Sequence, residues 1–173
     1  MLIRDIYETY EVPPWLQTHQ VRVAAVGKIV AEASVQDIDS NLIISTCLLH
    51  DIRAIVKFDF GPLLQDKMQG LCPAADLPYW IAVQEQIRAR YGHEEHEATG
   101  NIIAELGFTD ALALFGDMGF SEMHRILAAG NRTAMIAQYA DMRVGPYGIL
   151  PLEERVNEVI ERYADVPSWK ARV

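Results

Sequence analysis

His50 and Asp51 are adjacent at the end of an apolar stretch that begins at Ser40 and runs to Ile52. An imidazole and a carboxylate at the end of a buried helix are costly to desolvate unless something binds them. A divalent metal would do so, taking both as ligands. Chance alone supplies such a pair about a third of the time in a chain with this His and Asp content, so the surroundings must carry the argument. His19 lies upstream in the row Leu16, Val23, Val26 and Val30, whose spacing marks one buried helix face. Asp141 lies downstream and shares a face with Ala134, Ala137 and Val144, at steps of three and four residues. Three separate stretches therefore direct ligand-type side chains toward a core.

The order His, His-Asp, Asp on successive helices resembles the HD-domain superfamily of metal-dependent phosphohydrolases. The resemblance rests on Thr18 to Val23 around His19, on Leu48 to Ile52 around the pair, and on Tyr139 to Arg143 around Asp141. It covers about residues 15–145. It implies an all-helical bundle in which His19, His50, Asp51 and Asp141 gather round one divalent ion. The implied function is hydrolysis of a small phosphorylated molecule such as a nucleotide or deoxynucleotide. Mn, Mg, Fe, Co, Ni and Zn all suit this mixture of imidazole and carboxylate ligands. Two departures qualify the resemblance. Arg53 stands where the family often has Gly, either redirecting the loop or meeting an anionic ligand. His96 resembles the first extra ligand of two-metal members, but residues 127–133, where the second would fall, contain no His. One metal is the expectation.

A metal with three or four protein ligands leaves positions for water and a substrate oxygen. Arg53 and Lys57, just past the ligand pair, are the expected holders of phosphate oxygens. Asp51 is expected in the chemistry as well as on the metal, and Asp59 in proton transfer or in orienting water. His96 is expected to line the cleft, and Arg22 to support a site carboxylate through a salt bridge. Structural readings compete with each of these. His19 as a satisfied core histidine, Asp51 paired with Arg53 or Lys57, and Asp141 paired with Arg143 or Arg22 would leave no site. His93 and His96 stand three apart, whereas the zinc-protease motif needs imidazoles four apart, so that reading fails. Two further alternatives are a non-catalytic, metal-containing interaction module and a two-metal oxygenase on the same scaffold. The oxygenase would need more His or carboxylate ligands.

The elements that must position these residues read as helix after helix. The pattern predicts helices from Pro13 or Pro14 to Ala33, and from Ile38 to Ile52 with Asp37 or Asp39 as N-cap. Residues 57–78 read as a loop-rich excursion punctuated by Gly and Pro. Helices are expected again from Pro78 to Tyr91, Glu94 to Leu106, in two short pieces within 109–129, and from Asn131 to Val144, before Gly145-Pro146. A charged helix is predicted over 152–163. The class is all-α, with about six to nine helices in one domain spanning 1–173. The net charge of −9, with no Lys/Arg cluster, argues against long nucleic acid as a partner. No apolar run approaches a membrane span, and the first ten residues do not read as a signal peptide. Together with two unpaired-looking cysteines, this suggests a cytoplasmic protein with no membrane partner. Homo-oligomer formation is compatible with this reading.

Overall fold

A computed structural model describes residues 1–61 and 71–163. Nine α-helices are present among them, and no strand beyond one isolated bridge, Val144 to Ile149. In chain order they are α1 (Ile3–Thr9), α2 (Pro14–Glu32), α3 (Ser40–Leu49), α4 (Leu77–Tyr91) and α5 (Glu95–Glu105). They continue with α6 (Thr109–Phe115), α7 (Met123–Ala128), α8 (Arg132–Met142) and α9 (Leu152–Tyr163). No helix among the described residues is long and apolar enough to cross a membrane. The all-α expectation holds. Of the predicted excursion over 57–78, residues 62–70 lie outside the described residues.

Local chemistry explains most boundaries. Pro14 sits at the first helical position of α2, where its missing N–H costs nothing. Asp39 is the N-cap of α3, its Oδ1 accepting from the Leu42 N–H at 3.0 Å. Gly92, with φ +86°, ends α4 in a conformation that other residues resist. Asn131 caps α8 by accepting from the Ala134 N–H at 3.2 Å.

Two hydrophobic clusters meet at α3. One gathers Ile6, Tyr7, Leu49, Ile52, Ile55, Ile102 and Phe115. The other gathers Val23, Val26, Ile43, Cys47, Ala134, Ala137 and Ala140. Cys47 belongs to the second and Leu49 to the first, so His50 emerges at the seam between them. α2 packs mainly on α3 and α8. The fully buried Ala134, Ala137 and Ala140 make the α8 face thin enough for close approach.

Gly27 sets the α2–α3 distance. A Cβ placed there would stand 2.8 Å from Ile43 Cγ2 and 3.6 Å from both Cys47 Sγ and Ala140 Cβ. Ile43 is β-branched and fully buried, so it yields poorly. Gly27→Ala should therefore lose about 1–2 kcal/mol in denaturant unfolding. Overpacking costs of about 1–3 kcal/mol exceed the roughly 0.5–1 kcal/mol that Ala adds to a helix. An unchanged or raised unfolding midpoint would show that α2 can shift without cost.

Candidate metal-ligand cluster

α3 ends at Leu49, three residues short of the predicted Ile52, so His50 and Asp51 lie on the turn that follows. Beyond the helix end, the Ile52 N–H donates to Leu49 O and the Ala54 N–H to Asp51 O, each at 3.0 Å. These tight turns lead into a 3-10 helix over Ala54–Lys57. The apolar residues Leu49, Ile52 and Ile55 keep a helix-like spacing through this region. Periodicity therefore could not reveal the break.

The turn is held from both sides. The Tyr7 hydroxyl on α1 donates to Leu48 O at 2.7 Å. On α4, Gln84 Nε2 donates to Ile55 O at 2.6 Å and to Phe58 O at 2.7 Å. The Arg88 guanidinium donates to Val56 O through Nε and Nη2. The Ile55 carbonyl also accepts from the Phe58 N–H at 3.2 Å, so the turn that follows the ligand pair is tied both within itself and to α4.

The four predicted ligands come together. Asp141 Oδ1 lies 3.3 Å from both His19 Nε2 and His50 Nε2. Asp51 Oδ2 lies 3.5 Å from His19 Nε2 and 3.8 Å from His50 Nε2. His19, His50 and Asp141 form the tightest set, their ligand atoms all within 4.8 Å of one another. Ligand atoms about 2.1 Å from a common ion, at right angles, stand about 3 Å apart, so the donor set has suitable spacing. The His50 side chain is 6% exposed and His19 14%, against 21% for Asp51 and 28% for Asp141. Solvent reaches the cluster on its carboxylate side.

The His50 tautomer follows from its partner. Nδ1 lies 2.8 Å from Cys47 O, and a carbonyl only accepts, so Nδ1 carries the hydrogen. Nε2 is thereby left facing the cluster, as a donor to Asp141 when protonated and as a lone pair when neutral. Burial opposes a charged His50, but Asp51, Asp141 and Cys47 O together raise its pKa to about 9. Burial would also raise Asp141, yet hydrogen bonds from His19 and His50 hold its carboxyl far below the usual range. Asp51 is likewise lowered, against burial, by His50, Lys57 and His19. Without a bound ion, the proton on His50 and the Lys57 ammonium offset the carboxylate charge of this cluster.

The remaining predicted residues divide. Lys57 stays beside the pair, its Nζ 3.2 Å from Glu95 Oε2 and its charge felt by Asp51. Arg53 does not reach the cluster. It is 3% exposed, donates from Nη1 to Tyr10 O, and its guanidinium lies 5.2 Å from the ring centres of both Tyr10 and Tyr91. A weakly hydrated, planar guanidinium suits such an aromatic slot, and here it ties α1 to α4. Asp59 is exposed and closes its own turn, Oδ1 accepting from the Gly61 N–H at 2.9 Å. His96 is exposed and stacks on Phe115 with ring centres 4.2 Å apart. Arg143 does not pair with Asp141. It donates to Tyr139 Oη and Leu150 O. The expected salt bridge from Arg22 is also absent among the described residues.

Glu95 was not singled out by sequence reasoning. Its Oε2 lies 3.2 Å from Lys57 Nζ, beside the ligand pair, and burial raises its pKa, as does Asp51, while Lys57 and His50 lower it. Its signal lay in phase: Glu95 shares a face of α5 with the buried Ala98, Thr99 and Ile102. Comparison with protein families, with curated proteins and with solved structures finds no match.

Proposed function

We propose that the chain is a divalent-metal-dependent phosphohydrolase of the HD type, acting on a small phosphorylated metabolite such as a nucleotide. The observation that carries the reading is the convergence of His19, His50, Asp51 and Asp141 from three helical segments far apart in sequence. A purely structural cluster could stop at one His–Asp pair. This one spends two imidazoles and two carboxylates on a solvent-reaching spot.

His19, His50, Asp51 and Asp141 would hold the ion, with His50 presenting Nε2 because Cys47 O fixes its other nitrogen. A bound divalent ion supplies Lewis-acid polarisation of a phosphoryl oxygen and acidification of water. Lys57 stands beside Asp51 to neutralise a phosphate oxygen, and its ion pair with Glu95 keeps it from swinging into solvent. Glu95, 3.2 Å from Lys57 Nζ and raised in pKa by burial and by Asp51, is the carboxylate we assign to accept the proton of the attacking water. It takes the role that Asp59 was expected to fill. Buried, unpaired thiols at Cys47 and Cys72 suit a reducing, cytoplasmic setting.

The test is a phosphatase screen over mono- and diphosphorylated metabolites with Mn²⁺, Mg²⁺ and Co²⁺, run beside Glu95→Gln. We expect metal-dependent release of phosphate, lowered about 10²–10⁴-fold by loss of the proton acceptor. Metal binding without turnover on any ester would favour the non-catalytic module.

A further inference from the structure

We propose that a cleft flanking the ligand cluster binds the leaving group of the substrate, and that Arg22 selects leaving groups with an apolar or aromatic body and a second negative charge. This rests on the phosphohydrolase reading above and specifies its substrate.

The cleft holds about 240 Å³ and is lined by Trp15, Thr18, Arg22, Leu71, Pro146 and Tyr147 among others. The metal-ligand residues do not line it. It lies alongside them, because both of its walls grow from elements that carry a ligand. Thr18 precedes His19 on α2, and Arg22 follows His19 by three residues. Side chains three apart on a helix have Cβ atoms about 5–6 Å apart, so Arg22 is rooted one turn from the ion-binding imidazole. Pro146 and Tyr147 follow α8, which carries Asp141.

That second wall is a built loop. The Gly145 N–H donates to Gly148 O at 2.8 Å, and the Leu150 N–H to Arg143 O at 2.8 Å. Arg143 Nε clamps the base by donating to Leu150 O at 2.6 Å. Tyr147 is thereby placed at the tip. On the first wall, Trp15 is fixed by edge-on packing with Trp80, ring centres 5.2 Å apart. The Thr18 hydroxyl donates to Pro14 O at 2.9 Å and keeps its lone pairs available to a ligand donor.

Arg22 supplies the selectivity. It is half-buried, and among the described residues it has no ion-pair partner. In a chain of net charge −9, acidic partners are plentiful, yet this cation faces a cleft of aromatic and apolar groups. A phosphate at the ion and a carboxylate or second phosphate about one helical turn away would satisfy both ends. The flat body between them would lie against Trp15 and Tyr147.

The probe is a hydrolysis-resistant pair, benzylphosphonate and 4-carboxybenzylphosphonate, titrated calorimetrically into the Mn²⁺-loaded full chain. The carboxylated ligand should bind about fivefold to tenfold more tightly, as one partly exposed charge-assisted contact allows. Arg22→Gln should bring that ratio to one or below, since the net negative charge of the chain then acts unopposed. Arg22→Lys should keep the ratio above one. Equal affinities in the wild-type chain, binding of neither ligand, or an undiminished ratio in Arg22→Gln would overturn the proposal. Because the readout is binding, the two readings fail separately. Arg22-dependent selectivity with no ester hydrolysis sinks the phosphohydrolase and leaves the cleft. Hydrolysis with no charge preference does the reverse.

Discussion

Asp141→Asn should weaken divalent-metal binding by at least about a hundredfold, more than the 10- to 100-fold typical of losing an outer-shell partner. Asp141 Oδ1 stands 3.3 Å from the Nε2 atoms of both histidines, so its carboxylate is the point where the two imidazoles converge. Asn keeps the shape but removes the charge. Its amide nitrogen would also turn a donor toward atoms that need an acceptor or an ion. The metal-free variant should remain folded, because Ala134, Ala137 and Ala140, and not Asp141, form the packed face of α8. The loss should appear in calorimetric titration with Mn²⁺, with helical content unchanged by circular dichroism. In the same variant, two of the influences that raise His50 disappear while burial remains, so its imidazole should titrate well below about 9 in NMR.

Metal affinity should also rise steeply with pH. In the metal-free chain His50 is held protonated up to about 9, against an ordinary value of 6.5. An ion needs the Nε2 lone pair, so binding at neutral pH must expel that proton. Below pH 9 the dissociation constant should then fall about tenfold per pH unit, or about a hundredfold between pH 7 and 9. About one proton should be released per ion at pH 7.5, measurable by calorimetry in buffers of different ionisation enthalpy. The stability of the metal-free chain moves the other way. A raised His50 contributes stability that is fully present below 6.5 and lost as pH climbs through about 9. The lowered Asp141 carboxyl contributes stability present above its ordinary 3.8 and lost as pH falls below it. A pH-independent metal affinity would mean that His50 does not carry the proton that the ion must displace.

The parts of this fold legible in the sequence are those decided by local pattern. Burial at steps of three and four residues located α2 and α8 and faced His19 and Asp141 toward the core. Gly92 and the Gly145-Pro146 pair punctuated the chain near the ends of α4 and α8. What pattern alone could not supply were long-range contacts. α1 was missed because only Ile6 and Tyr7 of its seven residues are buried, leaving too short an apolar row to read. Arg53 looked like an anion receptor beside Asp51, but its aromatic partners come from α1 and α4. The same blindness hid Glu95, whose partner Lys57 lies on another element. Asp59 shows the opposite limit. A local turn bond to Gly61 satisfies it more simply than chemistry would.

If His19, His50, Asp51 and Asp141 form one ion site, calorimetric titration of chelator-stripped wild-type protein with Mn²⁺ will show it. The predicted result is one ion per chain, bound with release of about one proton at pH 7.5, and binding weakened at least about a hundredfold in Asp51→Ala. Wild-type protein that binds no ion, or Asp51→Ala protein that binds one as tightly as wild type, would contradict it.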